Sequence, residues 1–212
     1  MNHVTIIAEA GKNFIYQDPI TIGQALERAK LLALRAKECG ASAAKYQTHV
    51  FLDEQNKRSP SRNAWIIKNE TLTPLDLFWV PLKSYCDQIG IEFMATPMSH
   101  FAAVKVRDLV KRWKVGSADI TDFELLDYLA STKKPIIMST GMSTIEQVDQ
   151  AVKRLQKHKA DFSLVHCVSL YPCPPECVNL LTIPYLATRY GVPVGYSDHS
   201  LSLSIPVQAV KL

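Results

Sequence analysis

Apolar, β-branched stretches alternate along this chain with stretches of helical period, and the alternation repeats seven times. Strands are expected at 4–10, 42–48, 91–97, 112–117, 135–140, 162–168 and 192–199. Helical patterns follow most of them. The first, over 20–39, carries Leu26, Ala29, Ala33 and Ala36 and stops at Gly40. Others open at Pro74, run over 101–110, 123–131 and 144–157, and follow the Pro-rich stretch 171–178. Thr144 and Gln147 have the spacing of a capping box, which marks a helix start. One βα unit repeated describes an α/β fold of the TIM (β/α)8-barrel type. About seven units fit before Leu212, so 1–212 reads as one incomplete barrel domain whose last strand is missing, with no linker or second domain. The polar stretch 49–73 is too long for an ordinary βα connection and is expected to be a lid or substrate loop.

Most of the apolar stretches end on a polar side chain: Glu9, Lys45, Thr96, Lys114 with Ser117, Ser139 with Thr140, Cys167 to Ser169, and Ser197-Asp198-His199. In a barrel of parallel strands these ends collect on one face, where enzymes of this architecture keep their catalytic groups. A lysine that closes an inward-pointing apolar run is costly unless it meets an anion, so Lys45 and Lys114 carry the sharper signal. Together with the hydroxyls of Thr96, Ser117, Ser139 and Ser197 they suit a small phosphorylated, carboxylated anion. Strand-end serine and threonine also favour turns for purely local reasons. Glu9 is a candidate ion-pair partner or proton donor and acceptor. His199 could bind a divalent metal, with Asp198 as ligand or orienting group, or be a hydrogen-bonded strand-end histidine. Cys167, Cys173 and Cys177 lack the paired Cys-x-x-Cys spacing of a zinc site. His166 is expected inside the barrel, and the Pro-rich turn could present Tyr171 to a substrate.

Composition narrows the class. At 47% hydrophobic and 21% charged, 212 residues can bury a full core. The formal charge of +4 is spread along the chain, so no concentrated cationic face for nucleic acid is expected. No apolar run approaches the ~20 residues needed to span a bilayer, and the first residues carry no cationic leader. Five cysteines in a chain large enough to need no staples suit a reducing compartment, and a cytoplasmic location is expected.

The phrases Ile7-Ala8-Glu9-Ala10-Gly11-Lys12-Asn13, Ala44-Lys45-Tyr46-Gln47-Thr48, Ala95-Thr96-Pro97, Lys114-Val115-Gly116-Ser117, Ser139-Thr140-Gly141-Met142, His166-Cys167-Val168-Ser169 with Tyr171-Pro172, and Gly195-Tyr196-Ser197-Asp198-His199 resemble the sialic acid synthase (N-acetylneuraminate synthase) family, in order and over nearly the whole chain. The resemblance implies a metal-dependent condensation of phosphoenolpyruvate with an N-acetylated amino sugar, commonly N-acetylmannosamine, giving a sialic acid or related nonulosonate and phosphate. It implies that Lys45, Thr96, Lys114, Ser117, Ser139, Ser169 and Ser197 form the phosphoenolpyruvate shell. By the same resemblance Glu9 is the essential carboxylate, Gln47 and Tyr171 touch the sugar, and His199 is one of two histidine ligands to Mn2+, with Mg2+ or Co2+ as substitutes. Relatives usually place histidine after the asparagine of the first motif, whereas Asn13 is followed here by Phe14, which leaves the acceptor sugar open. Their second metal histidine lies on an eighth strand, and a small C-terminal antifreeze-like domain closes over a partner's site in a homodimer; both are expected to be missing here. Two other readings stand beside this one: a Schiff-base pyruvate aldolase using Lys114 or Lys45, and an inactive remnant that binds ligand without chemistry.

Overall fold

The computed structural model describes residues 4–16 and 18–212. The chain divides into two compact units, Met1–Lys111 and Arg112–Leu212.

The first unit holds three parallel strands in the order β1 (Ile7–Gly11), β2 (Ala43–Thr48), β3 (Glu92–Pro97). Between β1 and β2 runs α1 (Ile22–Glu38), opened by a complete capping box in which Thr21 and Gln24 each satisfy the other's backbone N–H. Gly40, at φ +82°, takes the left-handed turn after the helix that a side chain would resist. The buried face of α1 is Ala25, Ala29 and Ala33, small enough for the helix to approach the sheet closely. There the Tyr46 hydroxyl donates to the Ala29 carbonyl at 2.9 Å. Rings of Phe14, Tyr46, Phe78, Trp79 and Phe93 fill the space behind the strands, with Phe78–Trp79 centroids 4.8 Å apart and Phe14–Phe78 5.0 Å. Such pairs add about 0.5–1.5 kcal/mol each beyond the area they bury.

The stretch 49–73 departs from the expected loop. It folds into α2 (Phe51–Glu54) and α3 (Pro60–Leu72), and α3 buries Ile66, Asn69 and Leu72. Pro60 sits at the first turn of α3, where its missing N–H costs nothing. A π-helical turn, Leu75–Trp79, leads into α4 (Val80–Ile89), and α5 (His100–Val106) follows β3.

The second unit holds four parallel strands in the order β4 (Trp113–Val115), β5 (Ile136–Ser139), β6 (Phe162–Cys167), β7 (Val194–Ser197). The intervening helices are α6 (Phe123–Ser131), α7 (Ile145–Lys157) and α8 (Thr182–Tyr190). The capping box expected at Thr144 and Gln147 opens α7. A short α9 (Ser204–Ala209), with no counterpart in the sequence reading, follows β7. The strands are shorter than their apolar stretches: pairing in β1 begins at Ile7 and in β7 ends at Ser197, which leaves Asp198 and His199 in a loop. No helix among the described residues is long and apolar enough to cross a membrane.

Candidate active site

Alternation along a strand decides which side chains can meet. In the first unit Tyr46 turns toward α1, so Lys45 and Gln47 point to the opposite face, together with Glu9 of β1 and Thr96 of β3. Glu9 and Lys45 lie side by side in the register and form an ion pair. Lys45 Nζ also donates to Thr96 Oγ1 at 3.4 Å, and Gln47 Nε2 to Glu9 Oε1 at 3.4 Å. The ammonium carrier is largely buried, while the Glu9 side chain stays 45% exposed, open to a ligand. Gly11 explains how the carboxylate is aimed. The register shifts between Glu9 and Gly11, Gly11 has φ +55°, and a Cβ there would stand 3.1 Å from Glu9 Oε1.

In the second unit Trp113 donates its indole N–H to Thr132 at 2.9 Å, so Lys114 points to the other side of β4. There it is buried, and its Nζ donates to the Val115 carbonyl at 2.7 Å. Burial pulls its pKa down to about 8, against the opposing pull of Cys167 and Asp119. Ser117 Oγ donates to Ser139 Oγ at 2.9 Å and lies 3.5 Å from Cys167 Sγ. Ser169 Oγ is 3.9 Å from the same sulfur. Gly141 sits in the middle of this cradle: a Cβ would come within 2.7 Å of both Ser117 Oγ and Ser169 Oγ and 3.0 Å of Cys167 Sγ. Ser197 faces the same side, directly opposite Cys167 in the ladder.

His199 Nδ1 stands 2.8 Å from the Val168 carbonyl, which can only accept, so that nitrogen carries a proton, and in the neutral ring Nε2 keeps the lone pair. This is the tautomer a metal requires, held by the kind of outer hydrogen bond that orients metal histidines. The Tyr171 ring lies 4.1 Å from the imidazole and is 74% exposed. Asp198 is held by its neighbours in the loop. Its Oδ1 accepts from the Tyr196 hydroxyl at 3.0 Å and the Ser200 N–H at 2.9 Å, which ties it into the loop. Among the described residues no three His, Cys, Asp or Glu side chains gather as a metal set, and His199 offers one suitable nitrogen. His166 is buried but not with the cradle. It points to the opposite face of β6 from Cys167, where Nε2 lies 2.7 Å from the Val178 carbonyl and the ring lies beside Tyr196.

The structure therefore gathers Glu9, Lys45, Gln47 and Thr96 in one unit, and Lys114, Ser117, Ser139, Ser169, Ser197, Tyr171 and His199 around the strand ends of the other. Sequence reasoning placed Cys167 among the strand-end groups but did not find the part played by Gly141 in the cradle; the glycine directly after Ser139-Thr140 was the available signal. It also did not find a polar group beside the first set. Lys12 Nζ lies 3.6 Å over the Trp65 ring, His49 Nδ1 is 2.7 Å from Glu54, and the His49 ring meets Trp65 edge-on.

Known proteins resemble this chain along almost its whole length. The N,N'-diacetyllegionaminic acid synthase of Legionella pneumophila is 33% identical over 97% of this chain and 60% of its own length. The N-acetylneuraminate-9-phosphate synthase of Mus musculus is 32% identical over 98% of this chain and 58% of its own. The chain thus spans about three-fifths of the length of these relatives. A solved sialic acid synthetase from Leptospira borgpetersenii, in complex with citrate, aligns with 99% of this chain and 70% of its own at a TM-score of 0.85 and 31% identity. The NeuB family model matches residues 32–212, and with most of its length matched the chain belongs to the NeuB family.

Proposed function

We propose that this chain carries the condensing domain of a nonulosonate synthase, which joins phosphoenolpyruvate to an N-acetylated amino sugar and releases phosphate. The observation that carries this reading is a buried Lys114 on β4 in the same unit as a cradle of the Ser117, Ser139 and Ser169 hydroxyls, packed so tightly that only glycine fits at 141. A desolvated cation and neutral donors both favour an incoming anion. The names of the relatives support a condensation of this class, and the citrate held by the Leptospira protein is a polycarboxylate, the charge type this pocket calls for.

In this reading Lys114, Ser117, Ser139, Ser169 and Ser197 hold the phosphate and carboxylate of phosphoenolpyruvate, and Lys45 and Thr96 are proposed as further phosphoenolpyruvate-binding residues. Its C3 attacks the aldehyde carbon of the open-chain sugar and forms the new carbon–carbon bond, leaving C2 cationic. Water adds at C2 and loses a proton, and the C2–O bond then breaks to give the 2-keto acid and inorganic phosphate. Glu9, exposed beside Lys45, takes and returns protons at that centre. Gln47 and Tyr171 orient the sugar. A divalent ion, Mn2+ or in its place Mg2+ or Co2+, with His199 as one ligand, would polarise the aldehyde. Full-length action as a homodimer in the cytoplasm belongs to the same reading.

One observation favours a second chemistry. A lysine held down at about 8 is also what an imine-forming aldolase needs. Phosphoenolpyruvate labelled with 18O at the bridging oxygen separates the two. The condensation delivers the label to inorganic phosphate in the presence of N-acetylmannosamine, and borohydride with pyruvate leaves no adduct. A borohydride-trapped pyruvyl group on Lys114 without phosphate release overturns the proposal in favour of the aldolase. An absence of both reactions leaves the ligand-binding remnant.

A further inference from the structure

We infer that the groove between α6 and α7 binds a nucleoside diphosphate, its base beside Phe123 and Gln150 and its phosphates on Lys153, Arg154 and Lys157; the inference stands on residues that the condensation reading does not use. Both helices are amphipathic: α6 buries Leu125, Leu126 and Leu129, and α7 buries Val148, Ala151 and Leu155. Their remaining faces border a cavity of about 400 Å3, within the size range of small-molecule sites.

Asp127 of α6 organises the groove. Its carboxylate accepts from Arg154 Nε and Nη2, both at 2.7 Å, and lies 2.9 Å from His158 Nε2. Arg154, and after it His158, hold that carboxyl below its ordinary range, so the acid stays ionised and keeps both groups in place. The guanidinium fork retains its Nη1 donors for a ligand. Among the described residues Lys153 and Lys157 have no ion-pair partner. Asp149, which attracts Lys153 along α7, is itself held by Arg189 at 2.6 Å and by the Tyr190 hydroxyl at 2.8 Å. The groove thus sets three cations against one acid, an excess that a phosphate ester would neutralise.

The two ends of the groove differ in chemistry. Lys153 and Lys157 are one turn apart on α7, a spacing that lets two ammonium groups reach adjoining phosphates. Gln150 comes seven residues before Lys157, about 10 Å along the helix axis, comparable with the reach from a base to its second phosphate. Its amide offers both a donor and an acceptor to a base edge. The Arg154 guanidinium lies 4.9 Å over the Phe123 ring, a stack that an aromatic base would extend. Inorganic phosphate or a simple carboxylate would engage the cations and leave Phe123 and Gln150 without a role.

Calorimetric titration of the chain with ADP, adenosine and inorganic diphosphate tests this. ADP is expected to bind about tenfold more tightly than either fragment. The Lys153→Gln, Lys157→Gln double variant should weaken ADP binding about tenfold or more, and Gln150→Ala should narrow its advantage over diphosphate. These three side chains are exposed, so the variants keep the fold. ADP binding should be unchanged in Lys114→Met, which removes the charge from the strand-end cradle's unit. The absence of ADP binding, an affinity no greater than that of diphosphate, binding that survives the double substitution, or binding that disappears with Lys114→Met overturns the inference.

Discussion

Burial holds Lys114 at about 8 in the folded chain, below its ordinary 10.5, so at neutral pH the protein carries an ammonium whose desolvation costs it about 3 kcal/mol. Below pH 8 both folded and unfolded chains hold the proton and the full cost is present. Between 8 and 10.5 the unfolded chain holds more protons, so stability rises with pH and the cost fades. Lys114→Met is therefore expected to raise the midpoint of urea unfolding at pH 7, with the gain shrinking toward pH 10.5. The same shift governs binding. An anion needs the charged form, so phosphoenolpyruvate affinity should be flat below pH 8 and fall by up to about tenfold per unit above it, read by calorimetry with proton uptake on binding. Gly141→Ala should push a methyl into Ser117, Ser169 and Cys167, costing about 1–3 kcal/mol of stability and most of the anion binding, checked by denaturation and titration. Lys114 was legible because a lysine ending an apolar run stands out against its neighbours. The need for glycine at 141 was not, because the crowding arises only when β4, β5 and β6 bring their ends together.

The seven strands were legible as elements because inward apolar positions alternate with positions packed under helices, and the capping box at Thr144 fixed one helix start. α3 was hidden because its buried stripe runs through Asn69, whose amide breaks the apolar period, and because the charged run before it has the composition of a loop. Hydrogen exchange distinguishes the two descriptions. Amides of 63–72 are expected to be protected well beyond the loop 55–59, and uniform fast exchange across 49–73 would restore the lid. Glu54 ties α2 to β2 through His49 and the Val50 N–H, so Glu54→Ala should cost about 3 kcal/mol and loosen the same amides.

At the scale of the molecule, the pattern of strand-end side chains pointed to the chemistry because parallel strands place every second residue on one face, and each unit assembles its own set there. Metal binding was the least legible part. One histidine in the right tautomer can be read from this chain, and a complete ligand set cannot be read from the residues described. Calorimetric titration with phosphoenolpyruvate at pH 7, on the native chain and on Lys114→Ala, addresses the function most directly. Loss of the buried charged hydrogen bond should weaken binding by about 2 kcal/mol or more, roughly thirtyfold, and an unchanged dissociation constant would mean that Lys114 and the cradle are not the enolpyruvate site.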